Sequence, residues 1–333
     1  MNRKIRWGLL GAGKILDRWM KGARQIENME IVAVASRTRE RAAKTAEKFQ
    51  IPDVLTYEEM LVRKDIDVVY IPVPHTAHMD LAIKAMEAGK SVLVEKPAGI
   101  NVQQWEKMTE CARKNQVFLM EAVWTRFFPL IKEIEAHLKD IGDVRVVSTN
   151  FSFRNDEMDS RLMDPNRAGG SLLDVGVYDL HFTKMILKKD PILLSGVASM
   201  DTDEHHLQVD EQAAWIAQYD KGELGLMCSA IRTDMIDTAY IYGTKGHMII
   251  PQFWKPWQLQ LTVGDKVETI ECPVPQKIAG IEDEGYQFEI AHVNQCIREG
   301  MKESPVMTWE ETASILKQCD MLRKQWGLKY PQD

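Results

Sequence analysis

Two glycines near the start of the chain have the type and spacing needed to hold a phosphate group. Gly11 and Gly13 lie in the stretch IRWGLLGAGKIL, between an apolar run and an amphipathic segment. One glycine permits a tight turn, and the other lets the backbone approach a pyrophosphate, which then faces the N–H groups of the next helix. Leu16 stands where a third glycine would complete the pattern, and an ordinary strand–glycine–helix corner has the same residues. We interpret the stretch as a dinucleotide-binding turn, with Lys14 and Ile15 beside the phosphates.

The end of the next predicted strand indicates which dinucleotide would bind. Ser36 and Arg37 end and follow the run EIVAVAS, and Arg41 comes soon after. An acid at this place would bond the ribose 2′-hydroxyl of NAD, whereas a hydroxyl and guanidinium groups suit the 2′-phosphate of NADP. Solvated basic residues at the start of a helix are the alternative interpretation. Because the acid is absent, we predict NADP, with NAD less favoured.

Further candidates follow later strands at the same edge of the predicted sheet. The carboxyl ends of parallel strands face the ligand crevice of such a sheet. Pro72, His75 and His78 follow one strand, and Glu95 and Lys96 close the next. We predict that all five contact the cofactor. The alternatives are a turn with a surface histidine and a solvated lysine at a strand end.

The composition of the chain excludes several classes of function. The 333 residues are enough for two domains, and the net charge of -7 argues against nucleic-acid binding. The sequence contains no run of about 18 apolar residues, the length needed to span a membrane, and the N-terminus has no secretory signal pattern. Five widely spaced cysteines favour free thiols in a reducing cytoplasm. No spacing of ligands predicts a metal site, and we expect His205 and His206 to be solvated in an acidic loop.

Strand and helix patterns alternate through residues 1–122. This alternation predicts an α/β domain of the Rossmann type, with a doubly wound parallel sheet covered by helices on both faces. The predicted strands after the first lie at 30–36, 67–71, 91–95 and 117–120, and the predicted longer helices at 39–49, 78–88 and 101–114.

The pattern changes in residues 123–333 to strands that alternate apolar and polar residues, as half-exposed antiparallel strands do. The predicted strands lie at 143–153, 193–200, 211–219, 224–230, 238–242, 247–250, 258–263 and 266–271. Helices are predicted at 128–138, 171–188, 286–299 and 308–326. We predict an α+β domain for substrate binding and dimerisation, with a large, mostly antiparallel open sheet. Because such a sheet needs a covered face, we expect a homodimer through it.

Three strings in order reveal a resemblance to a known family. AGKSVLVEKP, EAVWTRFFP and GGSLLDVGVYDLHF resemble the glucose–fructose oxidoreductase/inositol dehydrogenase/MocA family, and the similarity covers nearly the whole chain. The second string is similar to the branch that contains dimeric dihydrodiol dehydrogenases and NADP-dependent xylose dehydrogenases. The resemblance implies a Rossmann domain followed by a substrate-binding domain.

The resemblance also implies a set of catalytic residues. The lysine of the family's EKP motif matches Lys96, and its helical aspartate and tyrosine match Asp174 and Tyr178. The last two are four residues apart, which places them on one face of a helix; from the residues alone, a buried polar stripe is equally acceptable. We expect Asp174 to orient Lys96 or Tyr178, and Gly176 to leave room for a ligand. The predicted substrate contacts are Trp124, Arg126, Phe153 and His181.

The resemblance implies an NADP-dependent oxidoreductase that acts on a secondary alcohol or ketone of a sugar or cyclic vicinal diol. One rival is a glycosidase that oxidises its sugar only transiently; it would cleave glycosides without releasing reduced cofactor. The other is a binding protein that senses NADP or sugar, which would not need Lys96, Asp174 and Tyr178 together. The residues leave open whether Tyr178 or Lys96 transfers the proton.

Overall fold

The computed structural model describes residues 3–157, 160–200, 208–278 and 280–333. His205 and His206 therefore lie outside the described residues. Two compact units divide the chain: the first holds residues 1–99, 103–127 and 274–312, and the second holds 100–102, 128–273 and 313–333. None of the helices in the described ranges is long and apolar enough to cross a membrane.

The first unit contains a parallel sheet of six strands. Its strands are β1 (Ile5–Leu10), β2 (Met29–Ala35), β3 (Asp53–Leu55), β4 (Val68–Ile71), β5 (Ser91–Glu95) and β6 (Leu119–Ala122). They lie in the order β3-β2-β1-β4-β5-β6, and every pairing is parallel. The order reverses between β1 and β4, which is the place where doubly wound sheets bind dinucleotides. The predicted α/β class is confirmed.

Helices cover this sheet because each presents an apolar stripe. They are α1 (Leu16–Arg24), α2 (Arg39–Phe49), α3 (Tyr57–Val62), α4 (His78–Glu87), α5 (Val102–Asn115, whose first residue belongs to the second unit) and α8 (Tyr286–Arg298). In α1 the buried residues include Leu16, Trp19 and Ala23, at the spacing of one helix face. α8 packs against α1, and Gly22 lies so close to Tyr286 that a side chain there would overlap it.

The second unit contains a mixed sheet of eight strands. They are β7 (Val144–Ser152), β8 (Leu193–Ser199), β9 (Gln212–Gln218), β10 (Leu224–Ala230), β11 (Thr238–Gly243), β12 (Gly246–Pro251), β13 (Gln258–Val263) and β14 (Lys266–Glu271). Their order is β14-β13-β12-β11-β7-β10-β9-β8. Only the pairing of β10 with β7 is parallel. The predicted large, mostly antiparallel sheet is confirmed.

Helices lie against one face of this second sheet. They are α6 (Pro129–His137), α7 (Val177–Leu187) and the part of α9 (Trp309–Trp326) that follows residue 312. β9 alternates strictly, with Ala213, Trp215 and Ala217 buried and the residues between them exposed. This alternation assigns one face of the sheet to the core and leaves the other face open.

Candidate active site

The glycine turn of the first unit has the shape of a phosphate cradle. Gly11 has φ +144°, and its N–H donates to the Ala35 carbonyl at 2.9 Å, which holds the turn beside β2. A side chain at Gly13 would overlap the Pro72 carbonyl. α1 then begins with no side chain capping its first N–H groups. Such a narrow, donor-rich turn fits the pyrophosphate of a dinucleotide.

The basic residues predicted to choose NADP lie where β2 ends. Ser36 is buried, whereas Arg37 and Arg41 are exposed. Tyr57, which the sequence did not single out, lies beside them: its hydroxyl accepts a hydrogen bond from the Arg37 backbone. Burial raises the pKa of Tyr57, and the two guanidinium groups oppose that shift. The described residues thus offer two exposed cations and no acid at the end of β2.

His78 connects the loop after β4 with the loop after β5, which carries Lys96. It is fully buried, with Nδ1 at 2.8 Å from the Pro97 carbonyl and Nε2 at 2.8 Å from the Val73 carbonyl. The His75 ring lies 5.8 Å from the His78 ring, centroid to centroid. In this structure His78 fixes the segment that carries Lys96, and direct contact of either histidine with the cofactor stays a prediction.

Two buried carboxyl groups, those of Glu95 and Glu121, hold the segment that carries Lys96. Glu95 accepts a hydrogen bond from the Tyr70 hydroxyl. Glu121 accepts one from the Ala98 N–H at 2.9 Å and one from the Thr312 hydroxyl at 2.9 Å. Burial raises the pKa of Glu95, opposed mainly by the Tyr70 hydrogen bond and then by the charge of Lys96. Together they hold residues 95–98 on both sides of the lysine.

A third carboxyl group, that of Glu289 on α8, faces the other two. It is fully buried, and neither oxygen has a hydrogen-bond partner among the residues that the structure describes. Burial raises its pKa well above the usual value, and the charges of Glu95 and Glu121 raise it further. Three buried carboxyls in one cluster cannot all ionise cheaply. Glu289 is therefore the member that keeps its proton.

We expect Glu289→Gln to flatten the dependence of stability on pH. In the folded protein Glu289 keeps a proton that it releases in the unfolded chain above about pH 4.3. As the pH rises, the free energy of unfolding of the wild type therefore falls, by up to about 1.4 kcal/mol per pH unit. Glutamine has no such proton. Urea unfolding between pH 5.5 and 7.5 measures the difference, with exposed Glu268→Gln as the control. Parallel curves for wild type and Glu289→Gln would contradict this assignment.

Trp124 and Arg126, predicted as substrate contacts, are packed within the first unit. The Trp124 ring stacks on Tyr286 at 4.2 Å between centroids, and the Arg18 guanidinium lies 5.2 Å from it. Trp124 is only 2% exposed. Arg126 donates to a Glu311 oxygen at 2.7 Å. Arg126 thus fixes its segment to Glu311 of α9, while substrate contact by Trp124 or Arg126 stays a prediction.

The second unit places Asp174 and Tyr178 at the start of one helical segment. Asp174 is mostly buried and accepts a hydrogen bond at 2.9 Å from Arg161, a partner that the sequence did not reveal. Tyr178 is 8% exposed, and His181 is buried one turn further along α7. The helix predicted at 171–188 is confirmed. Its first turn, Leu172–Gly176, is a π-helix rather than an α-helix, a form often found at functional sites.

The space beside Gly176 is filled by side chains of the sheet and not left for a ligand. A side chain there would meet the Trp215 ring at 2.9 Å and the Ser229 hydroxyl at 3.1 Å. The expectation that Gly176 leaves room for a ligand is therefore wrong, because the helix lies directly on the sheet at this point. Sequence alone does not distinguish a glycine that admits a ligand from one that admits a neighbouring strand.

An aromatic cluster borders Tyr178. The Phe151 ring meets Tyr178 edge-on at 5.4 Å and stacks on Trp254 at 4.9 Å. Trp254 is half-buried, and Lys255 lies 4.8 Å from its ring. Phe153, the predicted substrate contact, is also half-buried at the end of β7. The sequence singled out only Phe153, although the aromatic pair in FWKPW was a signal for the rest.

No three His, Cys, Asp or Glu side chains within the described ranges are grouped so that they could hold a metal ion. The chemistry available in the two units is therefore that of a dinucleotide cradle and a lysine in the first, and of a tyrosine, an aspartate and aromatic rings in the second.

Comparison with known proteins agrees with this arrangement. Residues 5–123 match the model of an oxidoreductase family with an NAD-binding Rossmann fold, and residues 136–249 match the model of the GFO/IDH/MocA C-terminal domain. The chain belongs to the GFO/IDH/MocA oxidoreductase family. The resemblance seen in the sequence is thereby confirmed.

GFO/IDH/MocA relatives of this chain include the trans-1,2-dihydrobenzene-1,2-diol dehydrogenases of Mus musculus and Homo sapiens. Each is 34% identical to it, and each alignment covers 99% of both proteins. These relatives are named as dehydrogenases that act on a diol, which agrees with an oxidoreductase acting on CH–OH groups.

Solved structures show the same two-part fold. One is a 3-ketoreductase from Actinomadura kijaniata in complex with NADP and TDP-benzene, with TM-score 0.84 and 23% identity over 97% of this chain and 98% of that one. Another is an aldose-aldose oxidoreductase from Caulobacter crescentus complexed with glycerol, with TM-score 0.84 and 22% identity over 97% of each chain. At this level of identity the likeness concerns the fold.

Proposed function

We propose that this family member is an NADP-dependent oxidoreductase. It transfers a hydride between the nicotinamide and a secondary alcohol or ketone of a sugar or cyclic vicinal diol. The observation that carries the proposal is the whole-length similarity to the diol dehydrogenases, in a chain that has both a dinucleotide cradle and the Lys96, Asp174 and Tyr178 set.

The end of β2 supports the choice of NADP. Arg37 and Arg41 are exposed cations next to a serine hydroxyl, and such groups form charge-assisted bonds with a 2′-phosphate. A carboxylate for the 2′-hydroxyl of NAD is absent from the described residues of this strand end. The NADP complex of the Actinomadura ketoreductase agrees with this choice.

The proton of the substrate hydroxyl is moved by the protein. When bound, the nicotinamide accepts or supplies the hydride. In the direction of alcohol oxidation, the Tyr178 phenolate takes the hydroxyl proton and becomes the neutral phenol. The Lys96 ammonium favours the phenolate form before this transfer. Asp174, fixed by Arg161, orients the helical segment on which Tyr178 lies.

The rings beside Tyr178 support a ring-shaped substrate with an apolar face. Phe151 and Trp254 form a stacked pair whose outer member is half-exposed. Flat apolar rings bind the faces of sugars and cyclic dienes while polar groups fix the hydroxyls. We assign the pair, with Phe153, to the substrate side of the site.

A panel assay tests the proposed function. The protein is incubated with NADP or NAD and with pentoses, hexoses, inositols and trans-dihydrodiols, and the absorbance of the reduced cofactor is followed. We expect NADP-linked turnover of at least one member. Cleavage of glycosides without net reduced cofactor would indicate the transient-oxidation glycosidase, and tight NADP binding with no turnover on the panel would indicate a sensor.

We expect Trp124→Phe to change the relative turnover of substrates more than the affinity for NADP. The reason is the place of Trp124 two residues after the end of β6, at the ligand edge of the sheet. Turnover on three or more panel substrates and the NADP dissociation constant are the measurements. Equal losses for every substrate, together with a lower melting temperature, would assign Trp124 to packing against Tyr286 alone.

The open face of the second sheet supports a homodimer. Its exposed apolar side chains include Val197 at 73%, Ile216 at 51% and Leu226 at 41% exposed. Ile216 and Leu226 are paired neighbours on β9 and β10, so the patch is continuous. Contiguous apolar patches of this kind mark interaction surfaces, and a two-fold dimer covers the same patch on both copies.

Light scattering should therefore give the mass of a dimer for the wild type. Ile216→Glu with Leu226→Glu should shift it to a monomer, because the carboxylates would be buried in the interface. Val62→Glu, at an exposed apolar residue of α3, is the control and should leave the dimer intact. A monomeric wild type at working concentration would refute the dimer.

None of the five cysteines, all of which lie in the described ranges, forms a disulfide. This supports the proposal that the enzyme works in the reducing cytoplasm.

A further inference from the structure

The helical segment that carries Asp174 and Tyr178 is hydrogen-bonded at its start to the buried carboxylate of Asp210. Asp210 Oδ2 accepts hydrogen bonds from the Leu172 N–H at 2.6 Å and from the Ser171 hydroxyl at 2.9 Å. The Ser171 N–H also donates to the Asp210 carbonyl at 2.7 Å. Asp210 is fully buried. A single residue from a distant part of the sequence thus satisfies the first free N–H groups of the segment.

The backbone before this segment is shaped around the same carboxylate. Gly170 has φ +109°, and a side chain there would overlap Asp210 Oδ1. The Gly170 N–H donates to the Leu162 carbonyl at 2.8 Å. Leu162 is the neighbour of Arg161, which holds Asp174. Two neighbouring residues, Arg161 and Leu162, therefore hold Asp174 and the backbone that leads into the segment.

The Asp210 carboxylate interacts with the side chains of Arg323 and Tyr330. Burial raises its pKa to about 6, opposed by the Leu172 and Ser171 hydrogen bonds and by the charge of Arg323. The Tyr330 hydroxyl also interacts with it. Oδ1 has no hydrogen-bond partner within the part of the chain that the structure describes. The hydrogen bonds of Oδ2 are thus its main role in the fold.

We propose that Asp210 is a positioning residue for the reaction: it caps the π-helical turn Leu172–Gly176 and thereby sets the places of Asp174 and Tyr178. Its effect on turnover rests on the proposed function, whereas its effect on the order of the turn does not. A π-helical turn depends on such external contacts because isolated π-helices are rare.

Amide hydrogen exchange and kinetics of the full-length protein test the proposal together. In Asp210→Ala, we expect the amides of 171–176 to exchange about 3- to 30-fold faster, the range for removing a capping acceptor. The same variant should lose kcat by a similar factor, with the dissociation constant of NADP unchanged. Asp210→Asn keeps an acceptor oxygen and should restore most of both.

The pH dependence of exchange adds a signature that loss of packing does not produce. The pKa of Asp210 is raised when the turn is folded and returns to its ordinary value when the turn opens. The protection of the turn's amides against exchange in the wild type should therefore fall as the pH rises from about 4 to 6. Asp210→Asn cannot titrate, and its protection should stay level after correction for the intrinsic exchange rate.

Asp190→Ala is the matched control, since Asp190 contacts Lys184 near the other end of α7. It should leave exchange at 171–176 and kcat unchanged. Wild-type exchange in Asp210→Ala would overturn the proposal. If Asp210→Ala yields no folded protein, Ser171→Ala must still speed exchange at Leu172, or the proposal fails. Faster exchange in a protein without NADP-linked turnover would uphold the cap and reject the proposed function.

Discussion

Tyr178→Phe is expected to lower kcat by about 10²- to 10⁴-fold, the range for losing a general acid–base group. The hydroxyl is the only part removed, so the ring keeps its edge-on contact with Phe151. The melting temperature and the affinity for NADP should stay near wild type. Steady-state kinetics from pH 6 to 10, with the best substrate of the panel, measure the loss.

The double variant Lys96→Ala with Tyr178→Phe tests whether Tyr178 and Lys96 act together. Lys96→Ala should also lower kcat strongly, and the double variant should be little worse than either single one, because groups that act as a unit are not additive. Tyr219→Phe, at another buried tyrosine of the second unit, is the control. Near-normal kcat of Tyr178→Phe across this pH range would move the role to Lys96 or His181.

Arg37→Ala is expected to weaken NADP binding by about 10- to 100-fold, since charge-assisted hydrogen bonds contribute about 1.5–3 kcal/mol. NAD, which has no 2′-phosphate, should bind almost as before. Arg39→Ala is a matched control two residues away, because Arg39 pairs with Glu59 on α3. Titration of wild type and both variants with each cofactor, followed by tryptophan fluorescence, gives the six dissociation constants.

Equal affinity of the wild type for NAD and NADP would reject this role of Arg37. A similar loss in Arg39→Ala would instead indicate a general effect of positive charge near the site. Salt screens such a long-range effect of charge, because the Debye length becomes shorter as the ionic strength rises. The titrations are therefore repeated at two ionic strengths.

The order of strands and helices was predictable because hydrophobic period is a local property. The strict alternation of β9 and the continuous apolar run of β4 each identify a strand of a different kind of sheet. The π-helical turn before α7 was not predictable, since it depends on where the sheet and Asp210 lie. The return of residues 274–312 to the first unit is likewise a tertiary feature.

Within the site, residues at strand ends were predictable, whereas their supports were not. The place of Glu95 and Lys96 at the carboxyl end of β5 follows from the topology of a parallel sheet, and their contact with the cofactor stays a prediction. Arg161, Glu289 and Asp210 come from distant positions of the chain, and each has an ordinary local context. Charged residues are common in loops and on helices, so only the fold reveals which of them are buried.

The pairings of β7 have a consequence for the order of events during synthesis. β7 lies between β10 and β11, whose paired residues follow it by about 80–100 positions, and contacts this distant along the chain slow folding. The Trp7 indole of the first unit likewise bonds Asn294 on α8 at 2.9 Å. Neither unit is complete until most of the chain has left the ribosome, so apolar strands stay exposed for that time. We therefore expect chains that stop before α8 to aggregate and to need chaperones more than the full-length protein does.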